Sequence, residues 1–357
     1  MYRQGPEFPL QPFHPSTPVA SWMTPTPHPG YPVRWRARVM EIRNLVFEGG
    51  GMKGIAYAGA IAELERRGLL GGVTQVAGAS AGAITAAFLA VGVDAAELEK
   101  ILRETDFSDF IDGRGWLIGD AKRLLDSYGV NPGKTAEDWI RNQIAHLTER
   151  LTGRPQPDLT FAELAGLVAA YPGRARGLYV VTTNLSQRMT EVFSAASHPD
   201  VPLYKAVRIS MSIPLFFEAY PFNGDLYVDG GVSWNYPIDL FDRLRKTPVL
   251  GDQPRGPAVE EGTLGFCLGT KAENEAASKD WRLPRMEIHE FKDYAKALVS
   301  FILTSSTLLH LDEAALARTI FIDDAGVSTT EFKLPKATQD MLVANGAAAT
   351  KAWFDRG

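Results

Sequence analysis

Short apolar runs alternate along this chain with segments in which apolar residues recur at helical spacing. The short runs predict strands at 44–47, 73–77, 178–184, 190–193 and 226–229, and the periodic segments predict helices at 55–67, 83–89, 95–103, 135–151, 161–170 and 203–212. Gly68 is placed to end the first helix, and Pro214 to end the last, because the residue before a proline avoids the helical region. The first two strands each run through a glycine-rich turn into a helix, which gives two consecutive strand–loop–helix units.

The second of these turns has the form Gly-x-Ser-x-Gly and comprises Gly78, Ala79, Ser80, Ala81 and Gly82. This sequence is typical of a nucleophile elbow, in which glycines replace side chains where a strand and a helix nearly collide. The turn lifts the serine hydroxyl clear of the backbone at a helix N-terminus, where unpaired N–H groups and the helix dipole favour an oxyanion. Such short matches also occur by chance, so the elbow needs support from elsewhere in the chain.

The first turn is a glycine-rich loop, Glu-Gly-Gly-Gly-Met-Lys-Gly, at 48–54. Because glycines allow backbone N–H groups to converge on an anion, the loop predicts a phosphate or oxyanion cradle. Gly49, Gly51 and Gly54 also fit the dinucleotide pattern Gly-x-Gly-x-x-Gly, but that site requires an acidic residue at the end of the next strand. Here the next strand leads into the Ser80 elbow instead. An acyl-transfer site, with a serine and N–H groups that stabilise an oxyanion, explains both turns together.

A third candidate is Asp229, which ends the strand at 226–229 and is followed by Gly230 and Gly231. An acid at the carboxyl end of a strand points into the crevice where α/β sheets bind ligands. Within hydrogen-bond reach of Ser80 it would serve as the general base. The alternative is an Asp-Gly turn that closes a hairpin.

The three sites together resemble those of the patatin-like phospholipase family, in order and in spacing, over about Arg43 to Leu334. The segment at 206–217 also resembles the family's segment before the aspartate. The resemblance implies a three-layer α/β/α fold with a mainly parallel central sheet and a Ser80–Asp229 catalytic dyad without histidine. It further implies hydrolysis of acyl esters in phospholipids, lysophospholipids or neutral lipids, with no metal and no cofactor.

The resemblance also assigns the residues around the dyad. The oxyanion hole falls on backbone N–H groups of the loop, which comprises Gly49, Gly50, Gly51, Met52, Lys53 and Gly54. Glu48 departs from the aspartate that many members carry there, and we expect no catalytic consequence. The Lys53 side chain has two interpretations, a contact with a lipid phosphate or a solvated or ion-paired lysine. For Asp229 to act as a base, we expect burial to raise its pKa.

Two other functions are compatible with the sequence. A Ser-His-Asp esterase for soluble esters would combine Ser80 and Asp229 with His289 or His310. His289 lies in a charged stretch and His310 in a helical pattern, which are ordinary places for a surface or packed histidine. A catalytically idle lipid-binding module would keep the fold without the reaction, but the intact serine and aspartate favour the enzyme.

Composition narrows the class of partner. The net charge of −5 and the pI near 5.8 argue against a nucleic-acid-binding protein. Cys267 is the only cysteine, which rules out an intramolecular disulfide, and its apolar neighbours predict a buried thiol. No apolar run reaches the length of a membrane span. A lipid substrate therefore implies transient contact with a membrane surface, and the sequence does not indicate whether a protein activator takes part.

Two apolar regions are candidates for that contact. The helix predicted from Tyr294 to about Leu316 is either a core or channel-lining helix or an interfacial one. The loop at 107–118 is either folded under as a satellite core or forms a hydrophobic rim around a lipid-sized entrance.

The ends of the chain carry less information. Residues 1–39 are rich in proline and have no hydrophobic period, which predicts a disordered extension before a single patatin-like catalytic domain at 40–357. Scattered aromatic residues in the extension leave open an extended strap. The extension lacks the apolar stretch of a secretory signal, so both the cytoplasm and export without a classical signal peptide are open. The family resemblance points to a bacterial origin, and about the last twenty residues give no prediction.

Overall fold

The apolar runs of the sequence form strands around a buried central sheet. The structure is a computed structural model that describes residues 41–111, 128–246, 262–277 and 285–356. Its strands are β1 (Asn44–Phe47), β2 (Gln75–Ala79), β3 (Gly129–Asn131), β4 (Gly177–Asn184), β5 (Met189–Phe193), β6 (Leu215–Phe217), β7 (Tyr220–Phe222), β8 (Asp225–Asp229), β9 (Thr263–Gly269) and β10 (Thr319–Asp323). The strand predictions are confirmed, except that β2 lies two residues further along than expected.

The periodic segments form the helices that surround the sheet. They are α1 (Ala56–Arg66), α2 (Ala81–Ala90), α3 (Ala95–Glu104), α4 (Lys134–Thr152), α5 (Phe161–Ala170), α6 (Leu203–Ser210), α7 (Gly231–Trp234), α8 (Leu240–Lys246), α9 (Lys271–Ala277), α10 (Phe291–Leu308), α11 (Glu313–Ala317) and α12 (Lys336–Asp355). The helix predicted from Tyr294 to about Leu316 is wrong at its end. The chain leaves α10 after Leu308, and the Asp312 carboxylate then accepts the Ala315 N–H to start α11.

Parallel pairing dominates the sheet, as the resemblance implies. The strands β10, β9, β1, β2 and β4 lie side by side in that order, and each adjacent pair is parallel. Beyond β4 the pairing is antiparallel, with β5 and β8 both paired to β4 and with β7 paired to β8. Two short strands, β3 and β6, form a separate parallel pair.

The register on β4 determines which loops meet. Strand β2 pairs with Gly177–Val181, whereas β8 pairs with the residues that follow, from Thr182 to Asn184. Strand β5 pairs with Val180–Asn184 and so occupies the other edge of β4. Strands β2 and β8 therefore share one edge and meet end to end, with the last residue of each opposite consecutive residues of β4.

Each face of the sheet is covered by its own apolar cluster. Alternate residues of β1 divide between them, since Leu45 and Phe47 lie in the larger cluster and Val46 in the smaller one. The larger cluster contains the apolar faces of α1, α2 and α3, and the smaller contains residues of α7 and α8. The fold is thus the expected three-layer α/β/α arrangement.

The C-terminal helix α12 closes this architecture against α1. A Cβ atom on Gly59 would lie 1.9 Å from the Val343 carbonyl oxygen, and one on Gly346 would lie 1.9 Å from the Ala56 carbonyl oxygen. The two glycines let the helix backbones approach closely. The predicted extension at 1–39 lies outside the described residues, and the single catalytic domain at 40–357 stays a prediction.

Candidate active site

Ser80 lies in a strained turn between β2 and α2. Its φ of +52° is in a region that side-chain-bearing residues rarely adopt, and 4% of its surface is exposed. A Cβ atom on Gly78 would lie 2.3 Å from the backbone carbon of Gly82, and one on Gly82 would lie 2.3 Å from the Phe47 carbonyl oxygen. Only glycine fits at either position, so the local geometry is that of a nucleophile elbow.

An apolar pocket opens beside the Ser80 side chain. It encloses about 550 Å³, including its open mouth. Its walls come from the glycine loop, α2, α3, the turn at 107–110 and the segment after α6, and they include Met52, Ile84, Leu102, Phe107, Phe110 and Phe217. The apolar lining of the pocket matches the acyl chain of a lipid ester in chemistry.

The described part of the apolar loop after α3 forms a satellite core, one of its two predicted roles, and the hydrophobic rim stays a prediction. Phe107 and Phe110 are buried and pack against Trp139 with ring centroids 5.6 and 5.2 Å away, as a satellite core would. The same two rings line the pocket beside Ser80. The rest of that apolar loop, including Trp116, Leu117 and Ile118, lies outside the described residues.

Asp229 ends β8 opposite Thr182, one step along β4 from the residue that Ala79 faces. It is fully buried, and its Oδ1 accepts the Gly231 N–H at 2.7 Å. Its Oδ2 has no hydrogen-bond partner among the described residues. Burial raises the pKa of Asp229 to about 7, against the lowering effect of hydrogen bonding from the Ser80 side chain and the Gly231 N–H. The effect of the Ser80 side chain on this pKa indicates that the two side chains are close to each other.

The aspartate turn is held close to the sheet by its glycines. A Cβ atom on Gly230 would lie 2.1 Å from the Val181 carbonyl oxygen, and one on Gly231 would lie 2.4 Å from Asn235 Oδ1. The hairpin interpretation is wrong for this turn, although β8 pairs with β7 on the side away from β4. That hairpin closes at the other end of β8, so the Asp-Gly-Gly turn faces the elbow.

The glycine loop reaches the elbow, but its first glycine does not offer an N–H group to substrate. The Gly49 N–H donates to the Asn235 carbonyl oxygen at 3.0 Å. The expectation that Gly49 contributes a donor to the oxyanion hole does not fit this bond. Its role is steric, since a Cβ atom there would lie 3.0 Å from Ser80 Cβ.

The rest of the loop forms one turn of 3-10 helix, Gly51–Ile55, capped by Gly50. The first N–H groups of such a turn have no acceptor within the helix. Gly51 has a φ of +59°, and a Cβ atom there would lie 2.1 Å from the Thr329 carbonyl oxygen. Gly54 packs against Ala81, the residue after the elbow serine, with Cβ positions 3.4 Å apart.

The contacts of the Met52 and Lys53 side chains do not favour a role in binding phosphate. Met52 is buried in the core and lines the apolar pocket. Lys53 Nζ lies 2.5 Å from Asp324 Oδ2, and Asp324 is completely buried. The ion-paired interpretation of Lys53 fits this contact.

A buried polar cluster that sequence reasoning missed supports the loop. Glu48 Oε1 accepts from Thr307 Oγ1 at 2.5 Å and from Asn235 Nδ2 at 3.2 Å, while Oε2 accepts the Leu268 N–H at 2.6 Å. Burial raises the pKa of Glu48 against these hydrogen bonds. Glu48 therefore has a structural role, because its carboxyl ties the loop to α10 and β9. The expectation that its difference from aspartate has no catalytic consequence stays a prediction.

The histidines of the alternative triad lie elsewhere. His310 Nδ1 is 3.2 Å from Asp239 Oδ1, and its ring packs 5.2 Å from Trp234. His289 is exposed and its backbone N–H donates to Asp293. Within the described ranges no histidine is hydrogen-bonded to Ser80 or Asp229.

The sequence is similar to proteins from a virus and from a bacterium. The chain is 29% identical over 314 residues to protein R571 of Acanthamoeba polyphaga mimivirus, covering 87% of this chain and 93% of that protein. It is 37% identical over 215 residues to YqhO of Bacillus subtilis, covering 58% of this chain and 69% of that protein. Relatives thus occur in a virus and in a bacterium, so that they do not test the predicted bacterial origin.

Solved structures share the fold. The crystal structure of VipD from Legionella pneumophila superimposes with a TM-score of 0.54 at 20% identity, covering 88% of this chain and 67% of that chain. The sequence profile described as Patatin-like phospholipase matches residues 45–242, which is more than half of the chain and includes all three motifs. The protein belongs to the patatin-like phospholipase family.

Proposed function

We propose that this protein hydrolyses carboxylic acyl esters of lipids, with Ser80 as the nucleophile and Asp229 as its general base. The observation that carries the proposal is the register of β2 and β8 on β4, which brings the elbow and the aspartate to the same level of the sheet. Family membership supports a lipid hydrolase. The apolar pocket beside Ser80 fits an acyl chain of phospholipid or lysophospholipid type.

Acylation begins with proton transfer between the two residues. As Ser80 Oγ attacks the ester carbonyl, its proton passes to Asp229 Oδ2, the oxygen that has no other partner in the described part of the chain. A pKa of about 7 makes Asp229 a stronger base than an ordinary aspartate while leaving it largely ionised above neutral pH. The tetrahedral intermediate then collapses, the bond to the alcohol oxygen breaks, and Asp229 returns the proton to that oxygen.

Deacylation repeats these steps with water as the nucleophile. Water gives a proton to Asp229 as it attacks the acyl-Ser80 carbonyl, and the proton returns to Ser80 Oγ when the fatty acid leaves. In both steps the negative charge on the carbonyl oxygen is stabilised by N–H groups at the start of the 3-10 turn, from Gly50 to Met52. The N–H of Gly49 takes no part, because it is bonded to Asn235.

Contact with a lipid surface is the second part of the proposal, and we assign it to the outer face of α10. Large apolar side chains are exposed along and beside this helix, at Met286, Ile288, Tyr294, Leu298, Phe301 and Leu309. The opposite face supports the site, because a Cβ atom on Gly231 would lie 2.5 Å from Leu303 and the Ser306 hydroxyl accepts the Asn235 N–H. No helix in the described ranges is both long and apolar enough to cross a bilayer, and the stripe fits a helix that lies on the surface.

The first test is release of fatty acid from mixed phospholipid vesicles by the wild type and by Ser80→Ala, with no added metal ion. We expect release that disappears in the variant. Hydrolysis of a short soluble ester is measured alongside. Ser80-dependent turnover of the soluble ester without release from vesicles would leave the dyad standing and contradict the lipid substrate. Turnover of neither substrate by the wild type would contradict the proposal.

The surface contact has a separate test. Phe301 is 65% exposed, so Phe301→Glu disturbs little of the fold and should lower vesicle hydrolysis about fivefold or more, because it places a charge where apolar area is buried at the interface. The soluble ester should be hydrolysed as before. Met341→Glu, at an exposed apolar position on α12, is the matched control. Equal vesicle hydrolysis by both variants would contradict the assignment to α10.

A further inference from the structure

Ser210, the last residue of α6, is a buried polar group without a role in the reaction described above. Its side chain is completely buried. Its Oγ accepts the backbone N–H of Ser80 at 2.9 Å and donates to the Val181 carbonyl oxygen of β4 at 2.6 Å. One hydroxyl therefore joins the strained elbow to the central strand.

The same short segment also holds the aspartate turn. The Ser210 carbonyl oxygen accepts the Gly230 N–H at 3.1 Å, and the Ser212 carbonyl oxygen accepts the Asp229 N–H at 2.9 Å. The N–H groups of Ser80, Asp229 and Gly230 thus all end on two residues of one segment. A displacement of that segment would move the elbow and the aspartate relative to each other.

Arg208 anchors the segment from the far side. Its guanidinium is buried and donates to the carbonyl oxygens of Pro132 and Gly133 at 2.7 and 3.0 Å, and to Ser212 Oγ at 2.6 Å. Fixed at one end by an arginine and bonded to β4 at Val181, the segment is a rigid support. It falls within 206–217, the stretch that resembles the family's segment before the aspartate.

We propose that Ser210 is a positioning residue, which sets the placement of Ser80 relative to Asp229 and withholds the Ser80 N–H from substrate. This inference rests on the proposed function. Because the Ser80 N–H is already bonded, the oxyanion donors must come from the glycine loop and the N–H groups that follow Ser80. Removing the hydroxyl leaves a buried N–H without an acceptor and releases a strained turn.

The test compares Ser210→Ala with Thr148→Ala on a soluble ester. Thr148 Oγ1 is equally buried, accepts the Gln156 N–H at 2.8 Å and donates to the Ile144 carbonyl oxygen at 2.7 Å, so it has the same bonding pattern in α4, and its bonding partners belong to neither the elbow nor the aspartate turn. We expect both variants to lose thermal stability. Only Ser210→Ala should lose kcat, by about 10- to 100-fold with KM within about twofold, since misplacement of reacting groups slows the chemical step rather than binding.

Two further measurements keep the inference falsifiable. In an Asp229→Asn background, Ser210→Ala should cost less than about threefold, because a group that acts by positioning the pair has little effect once the pair is broken. If Ser210→Ala does not fold, Ser210→Cys preserves the shape with a weaker acceptor and should still lower kcat. A folded Ser210→Ala or Ser210→Cys with the kcat of the wild type would overturn the positioning role. Absence of Ser80-dependent turnover in the wild type would instead overturn the proposed function.

Discussion

Glu48, at the start of the glycine loop, and Asp229, at the end of β8, are both buried carboxyl groups, and their surroundings differ. Glu48 has hydrogen bonds on both oxygens, from Thr307 and Asn235 on one and from the Leu268 N–H on the other. Asp229 has a hydrogen bond from the Gly231 N–H on Oδ1, whereas Oδ2 has no hydrogen-bond partner among the described residues. The Ser80 side chain also acts on this carboxyl. Burial raises the pKa of both groups.

The comparison shows that burial and a raised pKa do not by themselves mark a catalytic acid or base. Both carboxyls share them, yet Glu48 has no oxygen available for a proton from substrate. Its hydrogen bonds hold a backbone in place. Asp229 keeps one oxygen without a hydrogen bond from the described residues, which is costly for stability and useful for the proton transfer that we propose.

Among the substitutions at the two carboxyl groups, Asp229→Asn should have the largest effect on turnover. We expect kcat to fall by about 10³-fold, because the amide cannot accept the Ser80 proton. The variant should nevertheless be more stable than the wild type at alkaline pH. The folded-state pKa of about 7 lies above the usual 3.8, so this group's contribution to stability is present at acidic pH and is lost as pH rises through 7. Asp229→Asn should therefore unfold at higher urea concentration than the wild type at pH 8, with the difference shrinking towards pH 4.

The pH profile of the wild type checks the same assignment. Since the base must be ionised, kcat/KM for a soluble ester should rise with pH with a midpoint near 7, the pKa of Asp229. A flat profile between weakly acidic and weakly alkaline pH would contradict the role of Asp229, and so would an Asp229→Asn variant that is less stable than the wild type at pH 8.

Replacing Glu48 by glutamine tests whether this carboxyl has a structural role. We expect a smaller effect on turnover than that of Asp229→Asn. The amide can accept from only one side, so either Thr307 and Asn235 or the Leu268 N–H loses its acceptor, at about 1–3 kcal/mol. The loop then shifts, and kcat should fall roughly 10- to 100-fold. Urea unfolding and steady-state kinetics measure the two effects.

Glu63→Gln is the matched control for that substitution. Glu63 is also buried, at 7% exposure, and its carboxylate accepts hydrogen bonds from Arg66, the last residue of α1, and from the following residue, Arg67. It should lose stability with unchanged kcat. If Glu48→Gln lost only stability as well, Glu48 would have no part in shaping the site.

The sequence predicts the strand–turn–helix units well because their signals are local. The glycines at 78 and 82 are dictated by contacts within a few residues and with the neighbouring strand, and the apolar run before them is enough to predict β2. Asp229 could be placed near Ser80 only through the family resemblance. Its position depends on the residue of β4 at which pairing with β2 ends and pairing with β8 begins. That register is a property of the whole sheet.

What the sequence did not predict depends on contacts between distant residues. Glu48 meets Thr307 and Asn235 across most of the chain, and nothing near Glu48 in the sequence indicates either partner. Helix α12 approaches α1 closely at Gly59 and Gly346, and glycines give no hydrophobic period that could predict this contact. A polar network and a small-residue contact both lack the repeating pattern on which sequence reasoning depends.

The apolar wall of the pocket can be changed while Glu48 and Asp229 stay intact, so its contribution to activity can be measured separately from theirs. Ile84, on α2, faces the pocket beside Ser80, and Ile84→Phe should shorten the space for an acyl chain. Burial of each methylene contributes about 0.8 kcal/mol, and the variant should lose contact with about two methylenes of a long acyl chain. The ratio of kcat/KM for a dodecanoyl ester to kcat/KM for a butanoyl ester should therefore fall about tenfold.

Ile101→Phe is the control, since Ile101 is equally buried on α3 and does not line the pocket. The same chain-length profile in both variants would mean that the acyl chain lies elsewhere. A shift confined to Ile84→Phe, with pH dependence unchanged, would separate what the apolar wall does from what the two carboxyls do.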